Sequence, residues 1–250
     1  MKARTVLGLD TSTLSISVAV VREVEGTWRV LARRDRGATG ANHSTLLPAW
    51  IDEVLAEAGV RLSELDGIGV GIGPGGFTGL RISLATAKGL AYAAKLPLAG
   101  VSTLEAMALQ ARRLVPDAAA IVPLLDARKQ EVYAGFYLPD GAGVRSAPGR
   151  AADVVAPPAV VARALAELPG PLVLLGEGYQ AYRALFDEAT EGRRVHFGQG
   201  LSLAETPPAP EIAMLAADAL PPFSKEAIFA LEPRYLRPWE AEHALAAARR

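Results

Sequence analysis

The sequence predicts an α/β protein of two lobes, in each of which helices flank a mixed β-sheet. Three observations support this fold class. The chain begins with three consecutive strand patterns, residues 45–114 alternate between helical and strand patterns, and residues 124–137 repeat the strand, turn and strand of residues 8–21. Repetition of the same element order indicates that one fold unit occurs twice.

The first unit opens with three short strands. Residues 5–9 are apolar and end in Asp10, residues 15–21 alternate between apolar and polar or small side chains, and residues 28–31 follow a Glu-Gly turn. A helix over residues 45–58 follows, with Pro48 in its first turn and a glycine as its stop. The later patterns predict strands at 66–73 and 96–101 and helices at 78–95, 102–114 and 211–220.

A three-strand meander followed by two right-handed crossovers is the RNase H-like arrangement, which actin, sugar kinases and heat-shock chaperone ATPases contain in tandem. A second copy is therefore expected. Residues 124–137 supply a strand that ends in Asp126, a turn and an alternating strand, and residues 172–178 resemble the glycine-ended fourth strand. We predict a duplicated RNase H-like (actin-like ATPase) fold with an N-terminal lobe at 1–105, a degenerate second lobe at 106–206, and a C-terminal helix and tail at 207–250 that pack back on the first lobe.

Composition excludes several classes of function. The 250 residues include 26 basic and 27 acidic side chains, and the net charge of −1 gives no general attraction to nucleic acid or membrane. The absence of cysteine excludes disulfides, thiolate catalysis and cysteine zinc sites. His43, His196 and His243 are too scattered to indicate a metal site. The apolar run near the N-terminus is too short for a signal peptide or a membrane span, so we expect a cytoplasmic protein without membrane contact.

The glycine-rich stretch GIGPGGFTGLR, residues 71–81, lies between a strand and a helix, where backbone N–H groups can hold an anion. A Walker loop would need Lys and then Ser or Thr after its last glycine, and that pair is absent. A dinucleotide-binding motif would follow the first strand, whereas three strands precede this one. Two roles stay open: a turn that lets strand and helix pack closely, or a loop that meets a partner or a nucleotide. The candidate loop residues are Gly73, Gly75, Gly76, Phe77 and Thr78.

The two long helices of the first lobe carry more apolar surface than one sheet covers. Either the second lobe covers the excess, or it forms a dimer or heterodimer interface. On the helix at 78–95, Arg81, Lys88 and Lys95 form a basic stripe that we expect to face solvent or an acidic partner, and small residues at steps of four allow another helix to approach. We expect Ala87→Glu to break such an assembly and leave the monomer folded. The candidate interface residues are Leu46, Leu47, Trp50, Ile51, Val54, Gly79, Ser83, Ala87 and Ala91.

Five stretches together resemble the TsaB (YeaZ) proteins: GLDTSTLSISVAVV, NHSTLLPAWIDEVL, GIGVGIGPGGFTGLRISLATAKGLA, LLDARKQEVYAGFY and PRYLR. The resemblance spans nearly the whole chain and is most specific at residues 67–91. It implies the same duplicated fold and a partner role in making threonylcarbamoyladenosine on tRNA. In that pathway a related subunit, TsaD, transfers threonylcarbamoyl to the adenosine 3′ of the anticodon, and an ATPase, TsaE, joins the complex.

The resemblance implies a scaffold and not a catalyst. TsaB proteins bind TsaD through their first two long helices, so we expect this chain to bind TsaD there, to meet tRNA through the complex and to need no cofactor. The excess apolar surface also predicts a homodimer when the protein is alone. The catalytic relative carries two metal-binding histidines four residues apart, and Thr103 and Met107 stand at those positions here, so we expect no metal site.

Two other functions stay open as alternatives. An actin-fold small-molecule kinase or ATPase would hold phosphates near Asp10, Thr11 and Ser12 and would use Asp10 as its catalytic carboxylate. The equivalent turn after Asp126 continues with Ala-Arg-Lys and no glycine, so only weak nucleotide binding is expected, and Arg128 and Lys129 are expected to form a solvated turn. A glycoprotease-like metallopeptidase would need the missing metal ligands. We assign the glycine loop to shaping the start of the interface helix.

Overall fold

The structure, a computed structural model, describes residues 3–13, 15–36, 43–193, 195–197 and 208–236. The side chains of His43 and His196, all of His243 and the tail from residue 237 onward lie outside the described part. Within that part, none of the helices is both long and apolar enough to span a bilayer.

The first sheet has the strand order β3-β2-β1-β4-β5. Its strands are β1 (Arg4–Asp10), β2 (Ile16–Val24), β3 (Thr27–Arg36), β4 (Gly67–Gly71) and β5 (Leu98–Val101). β2 runs antiparallel to β1 and β3, whereas β4 is parallel to β1 and β5 is parallel to β4. This is the RNase H-like order that the sequence predicts. β3 is longer than predicted because its charged residues pair with β2 along the whole hairpin.

Two long helices cover one face of this sheet. They are α1 (His43–Ala58) and α2 (Phe77–Ala94). Leu7, Leu9 and Val70 of the sheet share one hydrophobic core with Leu47 of α1 and Leu84 of α2. α1 begins two residues before its predicted start, so Pro48 lies inside the helix and not in its first turn.

The second sheet repeats the order of the first. Its main path is β10-β7-β6-β11-β12, and β8 and β9 form an added hairpin on β6. Its strands are β6 (Ala120–Arg128), β7 (Glu131–Gly135), β8 (Tyr137–Asp140), β9 (Gly143–Ser146), β10 (Asp153–Ala156), β11 (Leu172–Leu175) and β12 (Val195–Phe197). β6 and β7 are antiparallel, and β11 is parallel to β6 and β12. The predicted duplication is therefore confirmed.

Six further α-helices follow in the described chain, of which α3 lies between the two sheets. These are α3 (Thr103–Leu114), α4 (Pro158–Leu165), α5 (Glu177–Ala181), α6 (Arg183–Ala189), α7 (Ala209–Ala219) and α8 (Lys225–Ala230). The predicted lobe boundary after residue 105 falls inside α3. Leu104 and Met107 of this helix pack with the second sheet, whereas Ala106 packs with α7 and the first sheet, so α3 belongs to both lobes.

α7 lies on the second face of the first sheet and explains part of the glycine pattern. A Cβ at Gly69 would stand 2.5 Å from the Cβ of Ala216 and 2.9 Å from the carbonyl oxygen of Ile212, and a Cβ at Gly8 would collide with the carbonyl of Ala209. Glycine is required at these positions because the helix backbone approaches the strands closely. Gly69, in the middle of β4, and Gly8 of β1 thus serve helix packing.

Candidate partner interface

The predicted interface positions on α2 face inward. Gly79, Ser83, Ala87 and Ala91 are all buried, and Ala87 and Ala91 belong to the core that the helix shares with the first sheet. The interface prediction is wrong for these four residues. Their small side chains do allow close approach, as the spacing indicates, but the surface that approaches is part of this chain. Ala87→Glu would therefore unfold the monomer.

α1 shows the same division between inner and outer positions. Leu47, Ile51 and Val54 lie in the core at 0%, 3% and 0% exposure, so they cannot meet a partner. Leu46 and Trp50 are half-buried at the edge of that core and keep part of their surface in solvent. Only these two predicted positions of α1 stay available to another protein.

The exposed face of α2 lies near the opposite side of the helix from the predicted one. Thr78, Ala85, Gly89 and Ala93 are exposed, and Ile82 beside them is half-buried. A Cβ at Gly89 would have no neighbour within 4 Å, so nothing within the described chain requires a glycine there. A glycine in a helix interior costs about 1 kcal/mol relative to alanine. The sequence analysis did not predict this exposed face because α2 carries small residues on both sides, and their spacing alone does not tell which side is buried.

The glycine loop fixes where α2 begins. The N–H of Gly76 donates to the carbonyl of Ser12 (2.5 Å), and the N–H of Thr103 donates to the carbonyl of Gly73 (3.0 Å). A Cβ at Gly75 would collide with the carbonyl of Ser12. The loop therefore packs directly on the segment after β1, and Phe77 and Thr78, which begin α2, stay exposed.

This packing closes the predicted nucleotide position. Asp10, Thr11 and Ser12 are all fully buried. The N–H and Oγ of Ser12 donate to Oδ1 of Asp10 at 2.8 and 2.6 Å, and Oγ1 of Thr11 donates to the carbonyl of Gly79 at 2.7 Å. Because these groups are used inside the chain and have no surface, they do not form a phosphate site in this conformation, and the prediction is corrected.

The equivalent turn of the second lobe is exposed. Arg128 and Lys129 are both exposed with positive φ angles of 61° and 52°. Asp126 accepts the N–H of Arg128 at 2.8 Å and pairs with its guanidinium at 3.0 Å. Burial, followed by the charge of Asp126, raises the pKa of the nearby Glu177 carboxyl. The turn is the solvated one that the sequence predicts.

Thr103 and Met107 lie on the first turns of α3, as predicted, but inside the protein. Oγ1 of Thr103 donates to Oδ2 of Asp10 at 3.2 Å, and Met107 is 5% exposed in a hydrophobic core. Thr103 therefore joins α3 to β1, and Met107 packs α3 against the second sheet. Among the described residues, no three or more His, Cys, Asp or Glu side chains form a group that could hold a metal ion.

The predicted basic stripe of α2 meets the chain's own C-terminal segment. Nε of Arg81 donates to the hydroxyl of Tyr235 at 3.1 Å, and Nζ of Lys88 donates to the carbonyl of Phe229 at 2.9 Å. Lys95 ends the helix in the left-handed conformation with φ of 55°. Arg81 is nevertheless exposed and Lys88 half-buried, so the stripe faces solvent in part, as predicted, and also contacts the C-terminal segment. The sequence analysis expects the C-terminal tail to pack on the first lobe but does not predict α8, because this helix is only six residues long.

A buried carboxylate links this segment to the second lobe. Asp153, 4% exposed, accepts hydrogen bonds from Oγ of Ser102 (2.8 Å), the hydroxyl of Tyr137 (2.8 Å) and the guanidinium of Arg234 (2.7 Å). Burial and the charge of Asp153 raise the pKa values of the Tyr137 hydroxyl and the neighbouring Glu105 carboxyl. The arginine offsets the charge of Asp153 where three parts of the chain meet.

Comparison with known proteins places the chain in a family. Residues 37–220 match the family model described as TsaD, tRNA N6-adenosine threonylcarbamoyltransferase. The Escherichia coli (strain K12) protein named tRNA threonylcarbamoyladenosine biosynthesis protein TsaB is 31% identical over 234 residues, which cover 93% of this chain and 94% of that protein. The chain belongs to the TsaB family.

Two further relatives define the extent of the similarity. YeaZ from Pseudomonas aeruginosa has 29% sequence identity and a TM-score of 0.71, with 93% of this chain and 100% of that chain covered. A tRNA N6-adenosine threonylcarbamoyltransferase of Maricaulis maris (strain MCS10) is 37% identical over 139 residues, or 50% of this chain and 37% of the transferase. TsaB-family similarity therefore extends over the whole fold, whereas similarity to this transferase covers half of the chain.

Proposed function

We propose that this TsaB-family protein is a non-catalytic partner that binds and activates a TsaD-type transferase in the threonylcarbamoyladenosine modification of tRNA. The full-length similarity to E. coli TsaB supports the pathway. The similarity of half the chain to a transferase supports the kind of partner, since related subunits often pair through equivalent surfaces.

We assign the contact to the outward face of α2 and the adjoining edge of α1. The observation that carries this assignment is Gly89, a helix glycine with no intrachain neighbour at its Cβ position. A helix of a partner could approach the bare backbone closely there. Ala85 and Ala93 extend the small surface, and Trp50 offers a half-buried aromatic anchor of the kind enriched at interface centres.

The kinase or ATPase alternative has no support from the site. It would need Asp10 as a catalytic carboxylate in a cleft, whereas Asp10 is fully buried and accepts hydrogen bonds from Ser12. The proposal also includes a TsaE-type ATPase as third component of the complex, contact with tRNA through the complex and a cytoplasmic location. It further includes a homodimer that forms through the same face and competes with the transferase.

Calorimetric titration of the purified protein with the TsaD-type transferase of the same organism tests the proposal, with an ATP titration alongside. We expect association with the transferase and negligible heat with ATP. Ala85→Glu should abolish association without lowering the melting temperature, because Ala85 is exposed. Ala159→Glu, at an exposed position on α4, is the matched control and should leave association unchanged. Tight ATP binding without association would contradict the proposal.

A further inference from the structure

The C-terminal strap, residues 225–236, runs along one side of α2. Near the C-terminal end of the helix the rings of Tyr92 and Phe229 lie 5.6 Å apart. Near its N-terminal end the rings of Phe77 and Tyr235 stack at the same distance, with an angle of 29° between their planes. The strap therefore contacts α2 at both ends.

Arg234 joins the strap to both lobes. Its backbone N–H donates to the carbonyl of Ile72, just after β4, at 2.7 Å. Its guanidinium donates to Oδ2 of Asp153, which begins β10 of the second sheet, at 2.7 Å. The carboxylate side chain has 0% exposure, whereas the arginine side chain keeps 41%. One residue thus ties the first sheet to a buried group of the second.

Tyr235 extends this tie to the first turn of α2. Its ring stacks on Phe77, and its hydroxyl accepts the Nε of Arg81, whose guanidinium carbon lies 3.8 Å from the centroid of the Phe77 ring. Phe77 and Tyr235 are 45% and 46% exposed, so their contact is not part of the main core.

The start of α2 has few other constraints on its exposed side. Its N-cap residue is Gly76, which has no side chain to accept a hydrogen bond from the first turn. The exposed residues Phe77 and Thr78 follow directly. The stack of Tyr235 on Phe77 and the hydrogen bond between Arg81 and Tyr235 therefore order a helix end that lacks the usual capping side chain.

We propose that Arg234 and Tyr235 are positioning residues, which fix the first turn of α2 relative to the second lobe and thereby set the affinity for the transferase. This inference rests on the proposed function, because the outward face of α2 is the assigned contact. Arg234 and Tyr235 act through the helix, and they couple the arrangement of the lobes to the surface that a partner meets.

A matched pair of ion pairs allows a sharp test. Arg113 pairs with the buried Glu211 at 2.8 Å, with side-chain exposures of 42% and 5%, and joins α3 to α7. Arg234 pairs with Asp153 at a similar distance and exposure. Arg113→Met and Arg234→Met therefore remove the same kind of contact, and only the second contact involves the strap. Tyr235→Ala is a milder third variant, since it alters an exposed stack.

Calorimetric titration of each full-length variant with the transferase, together with hydrogen exchange of the isolated variants, tests the inference. We expect Arg234→Met and Tyr235→Ala to weaken association about tenfold and to speed exchange in residues 76–81, with partial rescue by Arg234→Lys. Arg113→Met should lower the melting temperature but change neither readout. Equal effects of Arg113→Met and Arg234→Met on association, or unchanged exchange in residues 76–81, would overturn the inference. Absence of association in the wild-type protein would refute the proposed function, and the exchange data would still decide the positioning role.

Discussion

Replacing Gly89 by alanine should stabilise the isolated protein and weaken its association with the transferase. The new Cβ would meet no atom within 4 Å, so it adds no strain inside the chain. Exchange of a helix-interior glycine for alanine contributes about 0.5–1 kcal/mol, through better helix propensity and a smaller entropy of the unfolded chain. For a chain of this size each kcal/mol raises the melting temperature by about 2–4 °C, so a rise of roughly 1–4 °C is expected.

The effect on association should have the opposite sign. A methyl group inserted into a closely packed contact typically costs about 1–3 kcal/mol, which corresponds to an affinity loss of roughly 5- to 150-fold. Scanning calorimetry and titration calorimetry measure the two quantities on the same sample. Ala159→Leu, on the exposed side of α4, controls for added surface bulk. A lower melting temperature for Gly89→Ala, or unchanged affinity even for Gly89→Leu, would refute the assignment of this face.

Three further changes test other parts of the structure. Gly69→Ala should destabilise the protein by about 1–3 kcal/mol, because its Cβ would stand 2.5 Å from that of Ala216; thermal melting no lower than that of the wild type would contradict the packing of α7 on β4. Burial and the charge of Asp153 raise the pKa of Glu105 in the folded state, so this carboxyl ionises at a lower pH in the unfolded chain than in the folded one. The Glu105→Gln variant should therefore gain stability relative to the wild type as the pH rises from about 4 to 7. A difference in melting temperature that does not depend on pH would argue against this. Asp10→Ala removes the hydrogen bonds that Asp10 accepts from Ser12 and Thr103, and should lower stability by about 1–3 kcal/mol. Below the melting temperature of the variant, tRNA modification by the reconstituted complex should be unchanged. Loss of modification in the folded variant would favour a catalytic role for Asp10.

Local patterns predicted most of the first lobe. Period-two alternation in the strands, the glycine that stops α1 (Gly59) and the long apolar stretches of the two long helices placed these elements within a few residues of their observed bounds, apart from the longer β3. The duplication was recognisable because Asp10 ends β1 and Asp126 lies two residues before the end of the equivalent strand β6, and each strand is followed by a turn. These signals lie within short stretches of chain, where the sequence carries direct information about backbone conformation.

The site was harder to predict because its geometry depends on distant contacts. Gly69 packs on α7, Arg81 contacts the strap and Asp153 pairs with Arg234, and each of these contacts joins residues that are far apart in the sequence. Pattern analysis correctly found that α2 carries small residues at close-packing intervals, but it could not choose between two such faces. An isolated interior glycine outside the buried pattern, Gly89, was the available signal, since a helix retains one only against its intrinsic preference.

The position of α7 on the glycine strands also bears on how the protein is made. The sheet of the first lobe is complete at residue 101, but the helix that covers its second face ends at residue 219. At about 5–20 residues per second, translation of the intervening chain takes roughly 6–24 seconds. Throughout that time Val6, Val21 and Val101 lack the helix that buries them. The nascent first lobe therefore exposes an apolar surface that a chaperone could hold, and a chain stopped before α7 would keep that surface permanently open to aggregation and proteolysis.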